Sequence, residues 1–210
     1  MKYRAYALVI CVSTLLLAGP TSADVVNLKY ASIATCVDEG PQDGVCDSFV
    51  DLSNLGLVNN NEYTSFRTAF EFDLSGLPAG AIVNSATLTM VLTNWEGTRA
   101  LQAHGYAGDG TVQLSDCDNL DGLVGTFGVD PIGTQTVTLD VTGFVAGLAG
   151  GGPFAGFGVR EEPANTSNFT VMSLDGQYTP VLFVDAWIRA TLPTRQPRRP
   201  GTVARTLTPR

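Results

Sequence analysis

The chain has 210 residues, 20 of them Asp or Glu against 12 Lys or Arg, for a formal charge of −8. All 20 acids lie within 24–188, beside only Lys29, Arg67, Arg99 and Arg160, so 20 negative against four positive charges leave that stretch at −16. Such a field repels phosphate and argues against nucleic acid as a partner; it fits an exported protein kept soluble by self-repulsion, or one that meets cations.

Residues 1–23 read as a secretory signal peptide. Lys2 and Arg4 form a positive start, Ala5 to Ala18 is an apolar run, and small residues precede a cleavage point before Asp24. Cys11 follows Ile10 and so lacks the small residue that lipidation wants. The remaining body, 24–188, suits one domain with a sizeable core. No other apolar run is long enough to span a bilayer.

Strands are expected at 25–33 and 48–52. Between them Cys36 and Cys46 bracket "CVDEGPQDGVC". In an oxidising compartment this pair is expected to form a disulfide, contributing roughly 2–3 kcal/mol by closing a short loop. A metal pair is the rival, but no His or further Cys is near in sequence. Cys117 is left odd, either a buried free thiol or the true partner of one of the other two.

Alternation predicts the next strands. Over 66–72, Phe66, Thr68, Phe70 and Phe72 share a face opposite Arg67, Ala69 and Glu71. Over 86–92, Ala86, Leu88, Met90 and Leu92 point one way. Over 99–106 the pattern carries His104, the one His of the chain, expected on the solvent side as a bystander. Val137, Leu139 and Val141 alternate with Thr136, Thr138 and Asp140. Two further strands, 169–174 and 181–187, follow; the last buries either Leu182, Val184 and Ala186 or Val181, Phe183 and Trp187. About eight short strands bounded by Gly, Pro, Asn and Asp predict an all-β fold, a two-sheet antiparallel sandwich. One short helix is expected near 143–149, with Thr142 as N-cap and Gly150 to Pro153 as the stop.

Two strands end in the same chemistry, Phe72-Asp73-Leu74-Ser75-Gly76 and Leu139-Asp140-Val141-Thr142-Gly143. Asp and Ser/Thr side chains bond backbone N–H groups one or two residues on, and Gly relaxes the backbone. Turn chemistry accounts for every residue type in the repeat. A catalytic or metal role accounts only for Asp73 and Asp140.

The order of motifs resembles the DNRLRE-type β-sandwich domains of secreted bacterial proteins. The likeness is carried by "FRTAFEFDLSGLPAGAIVNSATLTMVL", "GYAGDGT", "VTLDVTGFVAGLAGGGPFAGFGVR" and "TPVLFV", and spans roughly 50–185. Arg67 matches the Arg before the first motif and Arg160 the one after Gly-Phe. The resemblance implies a jelly-roll-like sandwich at the cell surface or in the medium, some relatives binding polysaccharide. The chain is similar also to small exported proteins that end in a Pro-Glu-Pro sorting signal with a membrane helix. Residues 189–210 hold neither. With six Arg, four Pro and no acid they read either as a disordered basic arm or as a tail that is not native.

No nucleophile elbow or metalloprotease signature is present, so no catalytic residue is singled out. Glu161 and Glu162 would project to opposite sides of a strand. "SDCDNLDG", 115–122, gathers Asp116, Asp118, Asn119 and Asp121, hard oxygen ligands suited to a structural Ca²⁺. "EGPQDGVCD" is a weaker second loop of this kind. Trp95 and Tyr106 are the ligand-binding candidates for a sugar face, with Tyr63 and Tyr178 behind them. The expectation is a secreted, non-catalytic module, structural or carbohydrate-binding, whose partner is a polysaccharide or another surface component. The alternative is a polysaccharide-degrading enzyme using a carboxylate pair.

Overall fold

The computed structural model describes residues 23–40, 43–51, 55–60, 63–78, 80–94, 98–118, 122–130, 133–149, 152–161, 170–173 and 179–188. The signal segment 1–22, the tail 189–210, Trp95, Asn119, Asp121, Glu162 and Tyr178 lie outside them. The strands are β1 (Ala23–Glu39), β2 (Ser48–Val50), β3 (Leu55–Asn60), β4 (Thr64–Asp73), β5 (Ala81–Asn94), β6 (Arg99–Gly108), β7 (Leu123–Val129), β8 (Gly133–Asp140), β9 (Phe154–Glu161), β10 (Thr170–Ser173) and β11 (Val181–Ile188). Two short helices, α1 (Leu114–Asp118) and α2 (Thr142–Leu148), interrupt them.

The fold is all-β, and each strand pairing described is antiparallel. Two strands change partner along their length. The first half of β1 pairs with β11, and after an irregularity between Tyr30 and Ser32 its second half pairs with β4 and, on the other edge, β2. Leu55 to Val58 of β3 pair with β10, then Asn59 and Asn60 pair with β4. The path β1–β11–β5–β10–β3–β4 therefore returns to β1, which makes the sheet barrel-like. β9, β6 and β7 extend it beyond β4, and β8 lies on the free side of β5. A ring of this kind hides most of its edges from other chains.

Alternation chose the buried face well. Ala86, Leu88, Met90 and Leu92 of β5 are buried, as are Val137 and Leu139 of β8. Of the two sets offered by β11, Leu182, Val184 and Ala186 go inside. Four rings fill the centre: Phe70 and Phe72 of β4, Phe157 of β9 and Phe144 of α2, with centroids 5.3–6.1 Å apart. Edge-to-face arrangements predominate among them, the geometry that ring quadrupoles favour. Phe144 lies directly over Gly105, where a Cβ would meet its ring at 2.7 Å.

The expected helix forms, but its cap differs. Thr142 is its first residue and Val141 holds the N-cap position with no side-chain cap. The Thr142 hydroxyl instead accepts the Ala86 N–H at 2.9 Å and donates to Asp140 Oδ1 at 2.6 Å. It fastens the helix start to β5, a tertiary bond that outcompetes the local cap.

The repeated pentapeptide is a pair of corners. Ser75 N–H donates to Asp73 Oδ1 at 2.7 Å, and Thr142 N–H to Asp140 Oδ1 at 3.0 Å. These bonds, from the side chain and backbone of Ser75 and Thr142, hold both carboxyls below their ordinary range. Asp140 borders a hollow of about 350 Å³ with Val141, Phe144 and Gly122 to Val124. A second hollow, about 130 Å³, lies behind Leu74, Leu77 and Ala149 and does not include Asp73.

Candidate functional site

β4 is buried on both faces, although its alternation offers only one apolar face. Phe70 and Phe72 enter the central core. Arg67, Ala69 and Glu71, on the opposite face, are buried too. They lie beneath α1 and the loop closed by Cys36 and Cys46, whose sulfurs form a disulfide.

Arg67 organises this layer. Its Nη1 donates to the Gly44 carbonyl and to Asp118 Oδ1, each at 2.9 Å, and Nη2 reaches Asp38 Oδ2 at 3.3 Å. Asp118 Oδ1 also accepts the Cys46 N–H at 2.9 Å, and Asp38 Oδ2 the Gly44 N–H at 3.1 Å. One guanidinium thus joins strand, disulfide loop and helix, a planar fork serving three acceptors. Gly44 takes a φ of 88°, which a side chain would resist, and this turns the loop back toward Arg67. Burial raises the Asp38 carboxyl, opposed by the Gly44 N–H and Arg67.

Glu71 is fully buried. Its Oε2 accepts the Gly110 N–H at 2.6 Å, and Oε1 finds no hydrogen-bond partner among the described residues. The Tyr106 hydroxyl sits beside the carboxyl, short of a well-formed bond. Burial pushes Glu71 up, and Asp116 and Asp109 add to this against the pull of Gly110 N–H. Gly108 leaves the room the carboxyl needs, since a Cβ there would lie 2.5 Å from its carbon.

The residues singled out from the sequence fall in distinct places. Tyr106 is buried, its ring resting on Gly156 where a Cβ would intrude, so its face is not presented to solvent. Burial and Glu71 raise its hydroxyl. Asp116 and Asp118 sit on α1, which no periodicity announced. Asp116 Oδ2 accepts the Gln113 N–H at 2.7 Å, closing the first turn, and Asp118 is engaged by Arg67. Cys117, between them, is a buried free thiol whose sulfur lies within 4.8 Å of both bridge sulfurs. Among the described residues these three cysteines are the only set of three His, Cys, Asp or Glu with ligand atoms so close.

His104 corrects the expectation of a solvent-facing bystander. It does point away from the central core, but that face is covered, and it is 3% exposed. Its cross-strand partner Gly158 passes under the Asp116 carbonyl of α1. His104 Nε2 is 3.2 Å from Gln102 Oε1, which also accepts from Arg160 Nε and Nη2 at 3.1 and 2.9 Å.

The exposed part of the layer is its rim. Tyr63 is 73% exposed, Val45 55% and Phe49 46%. The Tyr63 carbonyl accepts the Gly40 N–H at 3.1 Å, which sets the ring at the base of the disulfide loop. Phe49 is paired with Cys36, and Val45 precedes Cys46. Exposed Glu39, Asp43 and Asp47 lie along the same loop. The sequence offered Tyr63 only as a secondary aromatic. Its position before a strand and after the Cys-bracketed turn was the available signal.

No helix among the described residues is long and apolar enough to cross a membrane. No protein-family model matches the chain, and no curated protein matches it.

Proposed function

We propose that the chain is an exported, non-catalytic module, a jelly-roll-like β-sandwich that contacts polysaccharide at the cell surface or in the extracellular matrix. The observation that carries this reading is the rim of Tyr63, Phe49 and Val45 on a loop braced by a disulfide and by Arg67. An exposed aromatic ring offers a flat apolar face to a sugar ring. The carboxylates of Glu39, Asp43 and Asp47 are acceptors for sugar hydroxyls. A braced loop loses little further freedom on binding.

The partner changes of β1 and β3 support a two-layer sandwich whose strands cross from one sheet to the other. The disulfide is compatible with an oxidising, extracellular setting. The structural work of Asp73, Asp140, Asp118 and Glu161 supports the non-catalytic reading, since each is engaged by a backbone N–H or an arginine.

A polysaccharide array probed with the full chain, with and without Ca²⁺, tests the proposal. Binding is expected, weakened at least tenfold by Tyr63→Ala with no change in melting temperature. Silence across the array overturns the sugar contact. Release of reducing ends from any arrayed polysaccharide overturns the non-catalytic assignment.

A further inference from the structure

The three sulfurs of Cys36, Cys46 and Cys117 lie within 4.8 Å of one another in a buried cluster, and only two are bonded. A thiol this close to a disulfide needs no collision with a second molecule to react with it. Orientation within a fold replaces concentration. The surroundings also differ for the three residues. Cys36 is held within β1 between Arg67 on β4 and Phe49 on β2, and cannot swing away. The Cys117 sulfur lies within 4.8 Å of the Cys36 sulfur, so the fixed end of the bridge is within its reach. Cys46 is on the rim loop beside exposed Val45 and Asp47.

We infer that Cys117 is the internal nucleophile of a three-sulfur exchange site, moving the bridge from Cys36–Cys46 to Cys36–Cys117 and leaving Cys46 as a thiol on the exposed rim. The Cys117 thiolate attacks Cys36 Sγ. The new S–S bond forms as the old one breaks, and the electron pair leaves on Cys46 Sγ. The proton lost by Cys117 is taken up there. Two thiol equivalents of sulfur remain bridged and one remains free, so no oxidant or reductant is consumed. In the exchanged form α1 is tied covalently to β1 and the loop is released. Its Cys46 thiol is then a modification site for disulfides of low molecular weight or for another protein's disulfide.

The thiolate is the attacking form, so exchange accelerates as pH rises.

The experiment incubates the chain, made in an oxidising compartment, at pH 7, 8 and 9. N-ethylmaleimide then traps free thiols, and a low-pH peptic digest is mapped without reduction. A Cys36–Cys117 linked peptide is expected, with label passing from Cys117 to Cys46 faster at higher pH. A Cys36–Cys46 peptide alone, with label confined to Cys117 at each pH, overturns the inference. Cys46→Ser is expected to emerge with Cys36 bridged to Cys117; free thiols at both overturn it. If that variant does not fold, the wild-type map decides. Neither readout depends on polysaccharide binding.

Discussion

Arg99 Nη1 lies 2.7 Å from Glu161 Oε1, and both side chains are 3% exposed. The second carboxylate oxygen accepts the Asn60 N–H at 2.9 Å, so the pair ties β6, β9 and β3 together. Removing one partner of a buried pair leaves the other charge uncompensated. Arg99→Met is therefore expected to cost about 3–5 kcal/mol, whereas Arg99→Met with Glu161→Met costs less than the single change. Urea unfolding of the four members of the cycle measures the difference. Equal losses in single and double variants would count against the pairing.

Arg67 makes a second prediction of the same kind at the candidate site. Arg67→Lys keeps the charge but loses the fork that reaches Gly44, Asp38 and Asp118 at once. The variant is expected to fold with a lower melting temperature. Proteolytic cutting should then begin in the loop between Cys36 and Cys46. Arg67→Met, which strands the buried Asp38, should lose about 3 kcal/mol or more.

Glu71 sets a pH dependence. Its folded pKa is raised above 4.5, so its protonated form is favoured in the folded state. The stability it contributes is complete below 4.5 and is lost as pH rises through the folded value. Glu71→Gln is expected to flatten the stability profile above pH 4.5 and to fare better against wild type at pH 8 than at pH 4. Denaturation series at the two pH values give the comparison, and parallel profiles would refute the assignment.

Asp73 and Asp140 act in the opposite direction. Their folded pKa values are lowered below 3.8, so their contribution is present above 3.8 and lost as pH falls through the folded values. Asp140→Ala and Asp73→Ala should each lower the melting temperature at pH 7 modestly and approach wild type as pH falls through the folded values. Thermal scans across that range follow both.

Gly156 tests the covered face. A Cβ at Gly156 would intrude on the Tyr106 ring, so Gly156→Ala is expected to cost about 1–3 kcal/mol through overpacking. Tyr106→Leu in the same chain should recover part of that loss. Full additivity of the two changes, read by urea unfolding, would contradict the contact.

The amino-acid sequence by itself determined the all-β class, the inward set Ala86 to Leu92 and the two Asp corners, and it singled out the Cys-bracketed loop whose Cys36–Cys46 bridge the structure fixed against Cys117. Each rests on local physics: period-two alternation, a short oxidisable loop, and side chains bonding their own backbone two residues on. The tertiary structure decided what local rules leave open. β7 and β9 are broken in sequence by Gly125, Gly128, Gly156 and Gly158, which weaken a strand pattern. Gly156 is there because the Tyr106 ring from β6 occupies its Cβ position, and Gly125 lies under Leu139 of β8. Likewise, alternation placed Arg67, Glu71 and His104 away from the central core, but it could not say that α1 and the disulfide loop cover that face. Whether a polar face meets water or a second layer depends on segments distant in sequence, such as Cys46 and Asp118, 72 residues apart and joined by one hydrogen bond.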